Sequence, residues 1–405
     1  MPTQTTAPLL NRRHAIAGLT TALSYSRVLG ANDRIGVGVI GVGNRGSYDM
    51  SLFQKNADAE VRGICDVWGD RLDKALSTAK TARGFADHRK LLELKEVDAI
   101  LVGSPDHWHK DHAIDAMNAG KDVYCEKPMC RTREEAPQMV RAARATGRIL
   151  QIGLQQRSGL IYQEPLKEFV RSGAIGKISH IDAIWHSGVA GASGANRRGE
   201  LTAKPDNLDW IRFLGSVRYR DWAPAQYLNF RAFLDFNGGK MTDFGHHWMD
   251  VVHMYMGERA PNSAVFAGGM FYPHADGRTA PDTCNAMYEY GEGKFTVNFQ
   301  SNSYAIPGED GVTFHGDKGR LFVNRNRYEF LTPEKGAQPV AKRIPGDITV
   351  DHVRNFLDCC KSRKLPNADG AIAAISVVPP LLGVESYLRK KRLAFDPDRM
   401  ELIEG

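Results

Sequence analysis

The sequence predicts an α/β domain with a doubly wound parallel sheet, followed by an α+β domain with a large, mostly antiparallel sheet. Strand-like and helical segments alternate strictly up to about residue 153, which is typical of a parallel sheet covered by helices on both faces. After about residue 160 the strand-like segments are longer and alternate in polarity, as in an antiparallel sheet packed on one face. A length of 405 residues also fits two domains.

The first half contains five predicted strands and four predicted helices. The strands are 34–40, 60–66, 97–103, 122–125 and 148–153, and the helices are 45–55, 70–82, 109–119 and 134–146. The first strand is rich in β-branched residues, which favours a buried strand. We therefore place the first domain at residues 32–155.

The second domain is predicted at residues 156–405 and begins with a helix at 161–172. Its predicted strands are 177–187, 262–272, 283–291, 294–303, 311–315 and 320–330. Two late helices, 350–362 and 370–391, are expected to return partly to the first domain. The stretch 188–240 has little periodicity, and a loop of that length inside a domain usually carries function.

Composition excludes several classes of protein. Hydrophobic residues make up 42% of the chain and charged residues 25%, which is ordinary for a globular protein. The net charge of +6 is mild and its basic residues are scattered, so we expect no nucleic-acid partner. Neither the six cysteines nor the acidic residues and histidines between 235 and 260 have the spacing of a known metal site, so we predict no metal.

The N-terminus carries a twin-arginine pattern. Arg12 and Arg13 precede a short apolar stretch, 15–25, and small residues follow near residue 31. About eleven residues are too few to span a bilayer, which needs about twenty, so we expect no stable membrane insertion. The pattern predicts a twin-arginine export signal at residues 1–31 and a periplasmic or exported protein. The alternative is an N-terminal arm that stays on a cytoplasmic protein.

A glycine-rich turn gives the first functional signal. The run Gly41-Val42-Gly43-Asn44-Arg45-Gly46 follows a predicted strand and opens a predicted helix, and Asp66 ends the next strand. In such a fingerprint the first glycine allows a tight turn, the second lets the backbone approach a pyrophosphate, and the third lets the helix pack on the sheet. The free N–H groups of the helix N-terminus then face the phosphates. The pattern predicts a Rossmann domain that binds a dinucleotide through Gly41, Gly43, Asn44, Arg45 and Gly46.

Asp66 points to the type of dinucleotide. A carboxylate at this position accepts hydrogen bonds from the adenosine ribose hydroxyls and repels a 2′-phosphate. Arg62 and Arg71 lie nearby but do not replace the acid. We therefore expect NAD to be preferred over NADP.

Three further motifs carry a family resemblance. They are Ser104-Pro105-Asp106-His107-Trp108-His109 after the third predicted strand, Glu126-Lys127-Pro128 after the fourth, and the run 238–250 in the second half. With the glycine fingerprint, the set resembles the glucose–fructose oxidoreductase, inositol dehydrogenase and MocA family (Gfo/Idh/MocA). The resemblance implies oxidation of a sugar or polyol hydroxyl, or the reverse. It also implies a homo-oligomer, a dimer or a tetramer.

The resemblance implies roles for particular residues. The usual catalytic lysine matches Lys127, and the family's aspartate and histidine four residues apart match Asp243 and His247. The positions that match the cofactor side are Ser104, Pro105, His107, His109, Glu126, Lys127 and Gln155. Typical members have Thr-Pro-Asn where this chain has Ser104-Pro105-Asp106, which puts the usual amide contact to the cofactor in doubt.

These residue types suit alcohol oxidation. His247 is the natural base, because imidazole titrates near neutral pH. Asp243 lies one helical turn away on the same face and would orient His247 or hold a substrate hydroxyl. Lys127 would stabilise negative charge on the reacting oxygen.

The substrate side is less sharply defined. Arg157 follows the fifth strand, where the family often shows Gln-x-Arg. Trp185, Tyr227 and Arg231 are candidates for a sugar pocket, since aromatic faces suit the apolar faces of pyranose rings, and His246 is a neighbour of the base. For each, ordinary packing is an equally good interpretation.

Three functions are compatible with these residues. The first is an NAD-dependent sugar, polyol or glycoside dehydrogenase, which would hold its cofactor tightly if exported. The second is an enzyme that cleaves glycosides by transient sugar oxidation and elimination, with Arg198, Tyr227 or His246 as an additional acid or base. The third is a non-catalytic sensor of NAD and sugar, against which the intact Lys127, Asp243 and His247 argue.

Overall fold

The computed structural model describes residues 34–186, 202–257, 259–291, 293–304 and 309–403. Its first sheet has six parallel strands in the order β3-β2-β1-β4-β5-β6. The strands are β1 Ile35–Ile40, β2 Ala59–Cys65, β3 Arg83–Phe85, β4 Ala99–Val102, β5 Asp122–Cys125 and β6 Leu150–Ile152. The strand order reverses between β1 and β4, the switch point at which such folds bind cofactors.

Five helices connect the strands of this sheet. They are α1 Asn44–Gln54, α2 Gly69–Thr78, α3 His88–Leu92, α4 His109–Asn118 and α5 Glu135–Thr146. The Rossmann prediction is confirmed, although β3 and α3 were not predicted. β3 has only three residues, none of them buried, so it lacks the apolar run by which a sequence reveals a strand.

The second sheet has ten strands in the order β14-β13-β12-β11-β7-β10-β9-β8-β15-β16. The strands are β7 Ile178–Ile184, β8 Ser263–Gly269, β9 Thr283–Tyr290, β10 Phe295–Asn302, β11 Gly311–Gly316, β12 Arg320–Val323, β13 Arg327–Leu331, β14 Val340–Arg343, β15 Leu393–Asp396 and β16 Glu401–Ile403. Only the β7–β10 pair among them is parallel. The predicted mostly antiparallel sheet is confirmed.

One segment that was predicted as a single strand forms two strands in the structure. The segment 320–330 turns back on itself between β12 and β13, because the side-chain oxygen of Asn324 accepts hydrogen bonds from the backbone N–H groups of Asn326 and Arg327, both at 2.9 Å. Asparagine is well suited to this local turn. Arg325 is thereby placed at the tip of the hairpin.

The remaining helices cover this sheet or return to the first one. They are α6 Leu160–Pro165, which continues as a π-helix over Leu166–Arg171, α7 Trp210–Leu214, α8 Pro224–Leu228, α9 Lys240–Asp243, α10 Gly245–Met256, α11 Ile348–Ser362, α12 Gly370–Ser376 and α13 Val378–Arg389. The predicted helix 370–391 is thus two helices, and Pro379 lies at the start of the second, where a proline needs no N–H partner. α10 packs on the ten-stranded sheet through Trp248 and Val252.

The late helices join the two sheets into one body. Phe356 of α11 is fully buried against Phe53 and Tyr124 of the Rossmann domain. Ala373 and Leu381 belong to the core cluster under the parallel sheet. Among the described residues, one stretch, Gly370–Arg389, has the length and hydropathy of a membrane-crossing helix, and 56% of its apolar window is buried inside the protein.

Candidate active site

The glycine turn after β1 forms the floor of a cavity. Gly41 has a φ of +87°, which a residue with a side chain rarely adopts. A Cβ on Gly46 would lie 1.9 Å from the carbonyl oxygen of Gly41, so α1 packs directly on the turn. A Cβ on Gly43 would meet only the end of Arg71, at 3.6 Å, so this glycine leaves open space. The three glycines therefore have the three separate roles that a dinucleotide turn requires.

The cavity has a volume of about 400 Å³. Of the residues predicted from the sequence, its lining includes Gly41, Gly43, Asn44, Arg45, Asp66, Ser104, Pro105, Tyr227 and Arg231. It also includes Arg71, Trp108 and His112, which were not predicted to contact the cofactor. The indole of Trp108 stacks on the His112 ring at 4.6 Å and forms a flat wall. A flat aromatic wall is a suitable surface for a nucleotide base.

Asp66 is held by the glycine turn. Its Oδ2 accepts from the Val42 N–H at 2.8 Å and its Oδ1 from the Trp68 N–H at 2.9 Å. Burial raises the pKa of Asp66, against the opposing charge of Arg71. Each carboxylate oxygen keeps a lone pair for a further donor, as a ribose hydroxyl would supply.

Tyr227 lies in the same part of the cavity. Its ring packs edge-on against Trp68 at 5.8 Å, and the Arg71 guanidinium lies 5.0 Å from both ring centres. The structure therefore places Tyr227 beside Asp66, among the residues that would meet the cofactor. It was predicted on the substrate side.

A buried polar network lies behind the turn. Oε1 of Glu126 accepts from Arg45 at 3.1 Å and from the Gln155 amide at 2.9 Å. Arg45 also pairs with the buried Asp49 at 3.1 Å. Burial by itself favours neutral Glu126, but the charges of Arg45 and Lys127 outweigh that effect and lower its pKa. The network ties α1 to the start of the Glu-Lys-Pro motif.

Two histidines of the third-strand motif bridge loops instead of lining the cavity. The His109 ring lies between the carbonyl oxygens of Pro128 (2.7 Å from Nδ1) and Ser104 (2.8 Å from Nε2). Nε2 of His107 is 2.8 Å from the Phe213 carbonyl oxygen. Both rings are almost fully buried, so their contact with a cofactor would be indirect, through the loops they hold.

The Lys127 ammonium is fixed by Asp243. Nζ donates to Asp243 Oδ1 at 2.7 Å and to the Asp243 carbonyl at 2.6 Å. Arg231 donates to the same Oδ1 at 3.2 Å and also lines the cavity. Burial alone would favour neutral Asp243, but the charges of Lys127 and Arg231 outweigh it and hold the pKa far below its usual range. The predicted pair is thus in direct contact and adjoins the cofactor cavity at Arg231.

His247 lies beside this pair, at the start of α10. Burial, with the nearby charges of Lys127 and Arg325, holds the pKa of His247 well below its ordinary value. Its ring stacks on Trp185 at 5.8 Å, and Nε2 is 3.4 Å from an Arg325 nitrogen. Because a guanidinium only donates, Nε2 is the unprotonated nitrogen of the neutral ring, and its lone pair can take a proton when a substrate hydroxyl replaces Arg325 there. The structure brings Lys127, Asp243, His247 and Trp185 together.

His246 and Arg157 are placed elsewhere. Nδ1 of His246 accepts from the Met129 N–H at 3.4 Å, and its Nε2 is 3.1 Å from the Ser376 hydroxyl, which fixes a neutral ring in the interior. Burial lowers the pKa of His246 to about 3. Nε of Arg157 donates to both carboxylate oxygens of the fully buried Asp250 at 2.8 Å. Both residues, predicted on the substrate side, act in packing the domains together.

Asp106 replaces the asparagine expected from the resemblance. It is 2% exposed and accepts from the amide of Asn237. Burial raises its pKa to about 8, against the charges of Arg231 and Lys127. At neutral pH this side chain is therefore an uncharged acid, close in size and polarity to the asparagine that it replaces.

Comparisons with known proteins agree with this geometry. Residues 35–154 match an oxidoreductase family with an NAD-binding Rossmann fold, and residues 161–405 match the C-terminal alpha/beta domain of that oxidoreductase family. The chain is 27% identical over 367 residues to the myo-inositol 2-dehydrogenase of Thermotoga maritima, covering 88% of this chain and 96% of that protein.

Two further similarities are informative. A glycosyl hydrolase family 109 protein of Shewanella baltica is 30% identical over 164 residues, which is 38% of this chain and 35% of that protein. The fold matches levoglucosan dehydrogenase, solved in complex with NADH and levoglucosan, with a TM-score of 0.70 at 16% identity, covering 89% of this chain and 99% of that one. Because the two family matches together span most of the sequence, the chain belongs to the Gfo/Idh/MocA oxidoreductase family.

Proposed function

We propose that the protein transfers hydride between a hydroxyl-bearing carbon of a sugar or polyol and NAD. The observation that carries this proposal is the contact of Lys127 with Asp243 next to His247, at the edge of a cavity floored by a dinucleotide turn. The open space above Gly43 and the acceptors of Asp66 fit a dinucleotide. Its similarity to the myo-inositol dehydrogenase supports the hydroxyl substrate.

Each of the three residues has a part in that chemistry. When bound, the nicotinamide supplies the site to which the hydride passes. His247 takes the hydroxyl proton, because its ring is neutral. Lys127 donates to the substrate oxygen and stabilises the negative charge that develops there. Asp243 fixes the direction of the Lys127 ammonium through the contact of 2.7 Å with its carboxylate.

The cofactor preference follows from Asp66. We propose that NAD is preferred over NADP, because the carboxylate that would meet the ribose is fixed by two backbone donors and cannot easily turn away. Arg71, whose charge acts on Asp66, lies over the rings of Trp68 and Tyr227.

A direct assay tests the proposal. The protein is supplied with NAD and a panel of sugars and polyols that includes myo-inositol, and NADH formation is measured by absorbance. We expect reduction of NAD with at least one substrate class and its loss in Lys127→Met. A cofactor-loaded protein that reduces no NAD with any member of the panel would contradict the proposal.

A second candidate function is glycoside cleavage through transient oxidation. The similarity to a glycosyl hydrolase family 109 protein favours it. Of the additional acids or bases considered, Tyr227 lies beside Asp66, His246 is in the interior, and Arg198 lies outside the described residues. Release of phenol from aryl glycosides without added NAD would establish this activity, and its absence would leave simple dehydrogenation.

We also propose export and self-association. The twin-arginine segment lies outside the described residues, and its expected processing predicts a native protein that begins near residue 32, which N-terminal sequencing can test. An exported enzyme would keep its nucleotide tightly bound, because free cofactor is scarce outside the cytoplasm.

Self-association is supported by apolar residues exposed on the ten-stranded sheet. Val265 and Met287 are paired neighbours on one face of this sheet and are 40% and 47% exposed. Light scattering would test whether the protein is a dimer or a tetramer.

A further inference from the structure

Arg325 is an exposed cation at the active site that no sequence motif indicated. It lies at the tip of the β12–β13 hairpin, with its guanidinium 5.0 Å from the centre of the Trp185 ring. One of its terminal nitrogens is 3.4 Å from Nε2 of His247. The side chain therefore reaches from the second sheet to the residue that acts as base.

Among the described residues, Arg325 forms no ion pair with a carboxylate. The neighbouring Arg327 differs sharply, since it pairs with Glu309 at 2.7 Å and with Glu329 at 2.9 Å. The Arg325 side chain is exposed, yet neighbouring groups of the catalytic cluster partly desolvate its guanidinium, which lowers its pKa. A cation held there without a counter-ion suits a ligand that brings one.

The charges around the reacting position also favour an anionic ligand. Lys127, Arg231 and Arg325 contribute positive charge, whereas Asp243 contributes one negative charge. Of the other acids nearby, Asp106 is uncharged at neutral pH and Glu126 is paired with Arg45. An excess of positive charge remains next to the substrate hydroxyl.

We propose that the substrate is an acidic carbohydrate whose carboxylate is bound by Arg325, while its ring lies near Trp185. This inference rests on the proposed carbohydrate oxidoreduction and names its substrate class. A guanidinium presents two parallel N–H donors that match the two oxygens of a carboxylate. The partly exposed indole of Trp185 packs on Phe244 and under Arg325, so a sugar held by Arg325 would meet its exposed part.

The contact with His247 would link recognition to catalysis. The Arg325 charge is one of the causes that keep the pKa of His247 low. A carboxylate bound to Arg325 would offset that charge and make His247 a stronger base. An acidic substrate would thus be favoured both in binding and in proton transfer.

Binding to the NAD-loaded protein tests the proposal independently of turnover. Calorimetry compares D-glucuronate with D-glucose and D-galacturonate with D-galactose, for the wild type, Arg325→Gln and Arg325→Lys. We expect each acid to bind about tenfold to hundredfold more tightly than its neutral partner, as for a charge-assisted pair. The preference should be lost in Arg325→Gln and partly kept in Arg325→Lys, and added salt should weaken it.

Arg343→Gln is the matched control, because Arg343 is exposed on strand β14. It should keep the wild-type preference. Uronates that bind no more tightly than neutral sugars would overturn the proposal, as would an undiminished preference in Arg325→Gln. Tighter binding of D-glucose 6-phosphate than of D-glucuronate would overturn the assignment to a carboxylate. A failure of the proposed oxidoreductase function can be told apart from a failure of this inference. In the first case, uronate binding would still depend on Arg325 but no NADH would form.

Discussion

Lys127 donates to both the carboxylate and the backbone carbonyl of Asp243, at 2.7 and 2.6 Å. Two acceptors on one residue restrict the ammonium to one position, although the lysine stem is flexible. The contact also joins the two domains, since Lys127 follows β5 of the Rossmann sheet and Asp243 ends α9. The two side chains therefore meet only when the domains are packed together.

The first prediction concerns Lys127. Replacing it by methionine keeps most of the apolar stem but removes the ammonium, so kcat should fall about 100-fold to 10,000-fold, the range for loss of a general acid or an oxyanion donor. Binding of NAD, measured by calorimetry, should persist because the glycine turn is intact. Lys364→Met, at an exposed position, should be as active as the wild type. Equal activity of the two variants would contradict the assigned role.

Gly43 and Gly46 should respond differently to alanine. Gly46→Ala places a methyl group 1.9 Å from the Gly41 carbonyl oxygen and should lower the free energy of unfolding by about 1–3 kcal/mol. Gly43→Ala meets only ordinary contacts, so stability should hold while the methyl group fills the space a pyrophosphate needs. Thermal melts without cofactor and NAD titrations separate the two effects. Unchanged NAD affinity in Gly43→Ala would mean that the pyrophosphate does not pass over this turn.

Asp106 should determine part of the pH dependence. Its pKa of about 8 in the folded protein lies above the ordinary value of a carboxyl group, so the stability that the neutral form contributes declines as the pH rises from about 4 and is fully lost once the pH passes about 8. The charge that then forms beside Asp243 should also reduce kcat/KM. In Asp106→Asn both the fall in melting temperature between about pH 4 and pH 8 and the alkaline limb of kcat/KM should shrink. Burial lowers the pKa of Lys240 to about 8, so this lysine is the alternative origin of the alkaline limb of kcat/KM. A limb that survives in Asp106→Asn but disappears in Lys240→Met would show that the lysine causes it.

Asp66 should control the choice of cofactor. The wild type should bind NAD at least about tenfold more tightly than NADP, and Asp66→Asn should reduce that ratio about tenfold, because the variant removes the charge but keeps a hydrogen-bonding side chain. Titration with both cofactors gives the ratio directly. A wild type that prefers NADP would show that Arg71 or another cation in the lining dominates over the carboxylate.

The sequence predicted the strands that have a strong hydrophobic pattern and missed strands at the edges of the sheets. Strands such as β1 and β4 are continuous apolar runs with every residue buried, so periodicity and composition suffice. β14 is fully exposed and β16 has no buried residue, and such edge strands leave no hydrophobic pattern. Each is placed only by pairing with the strand before it, β14 with β13 and β16 with β15.

The site residues that belong to sequence motifs could be predicted, and the others could not. Lys127, Asp243 and the glycine turn were each recognisable, and the structure brings them to one place. His107 and His109 belong to the same motifs but bridge backbone carbonyls, because buried loops need partners for their polar groups. Arg325 lies in no motif, and only the hairpin turn at Asn324 brings it to His247.

The central claim is hydride transfer from a carbohydrate carbon to a bound nicotinamide. The most direct test is to incubate the protein with NAD and carbon-deuterated sugars, polyols and uronates, and to determine the mass of the nucleotide recovered after denaturation. The account predicts that deuterium from at least one of these substrates appears in the reduced nicotinamide, because net oxidation leaves the transferred hydride on the nucleotide, and that Lys127→Met abolishes the transfer. Nucleotide recovered from the wild type without deuterium, after exposure to every substrate class, would contradict it.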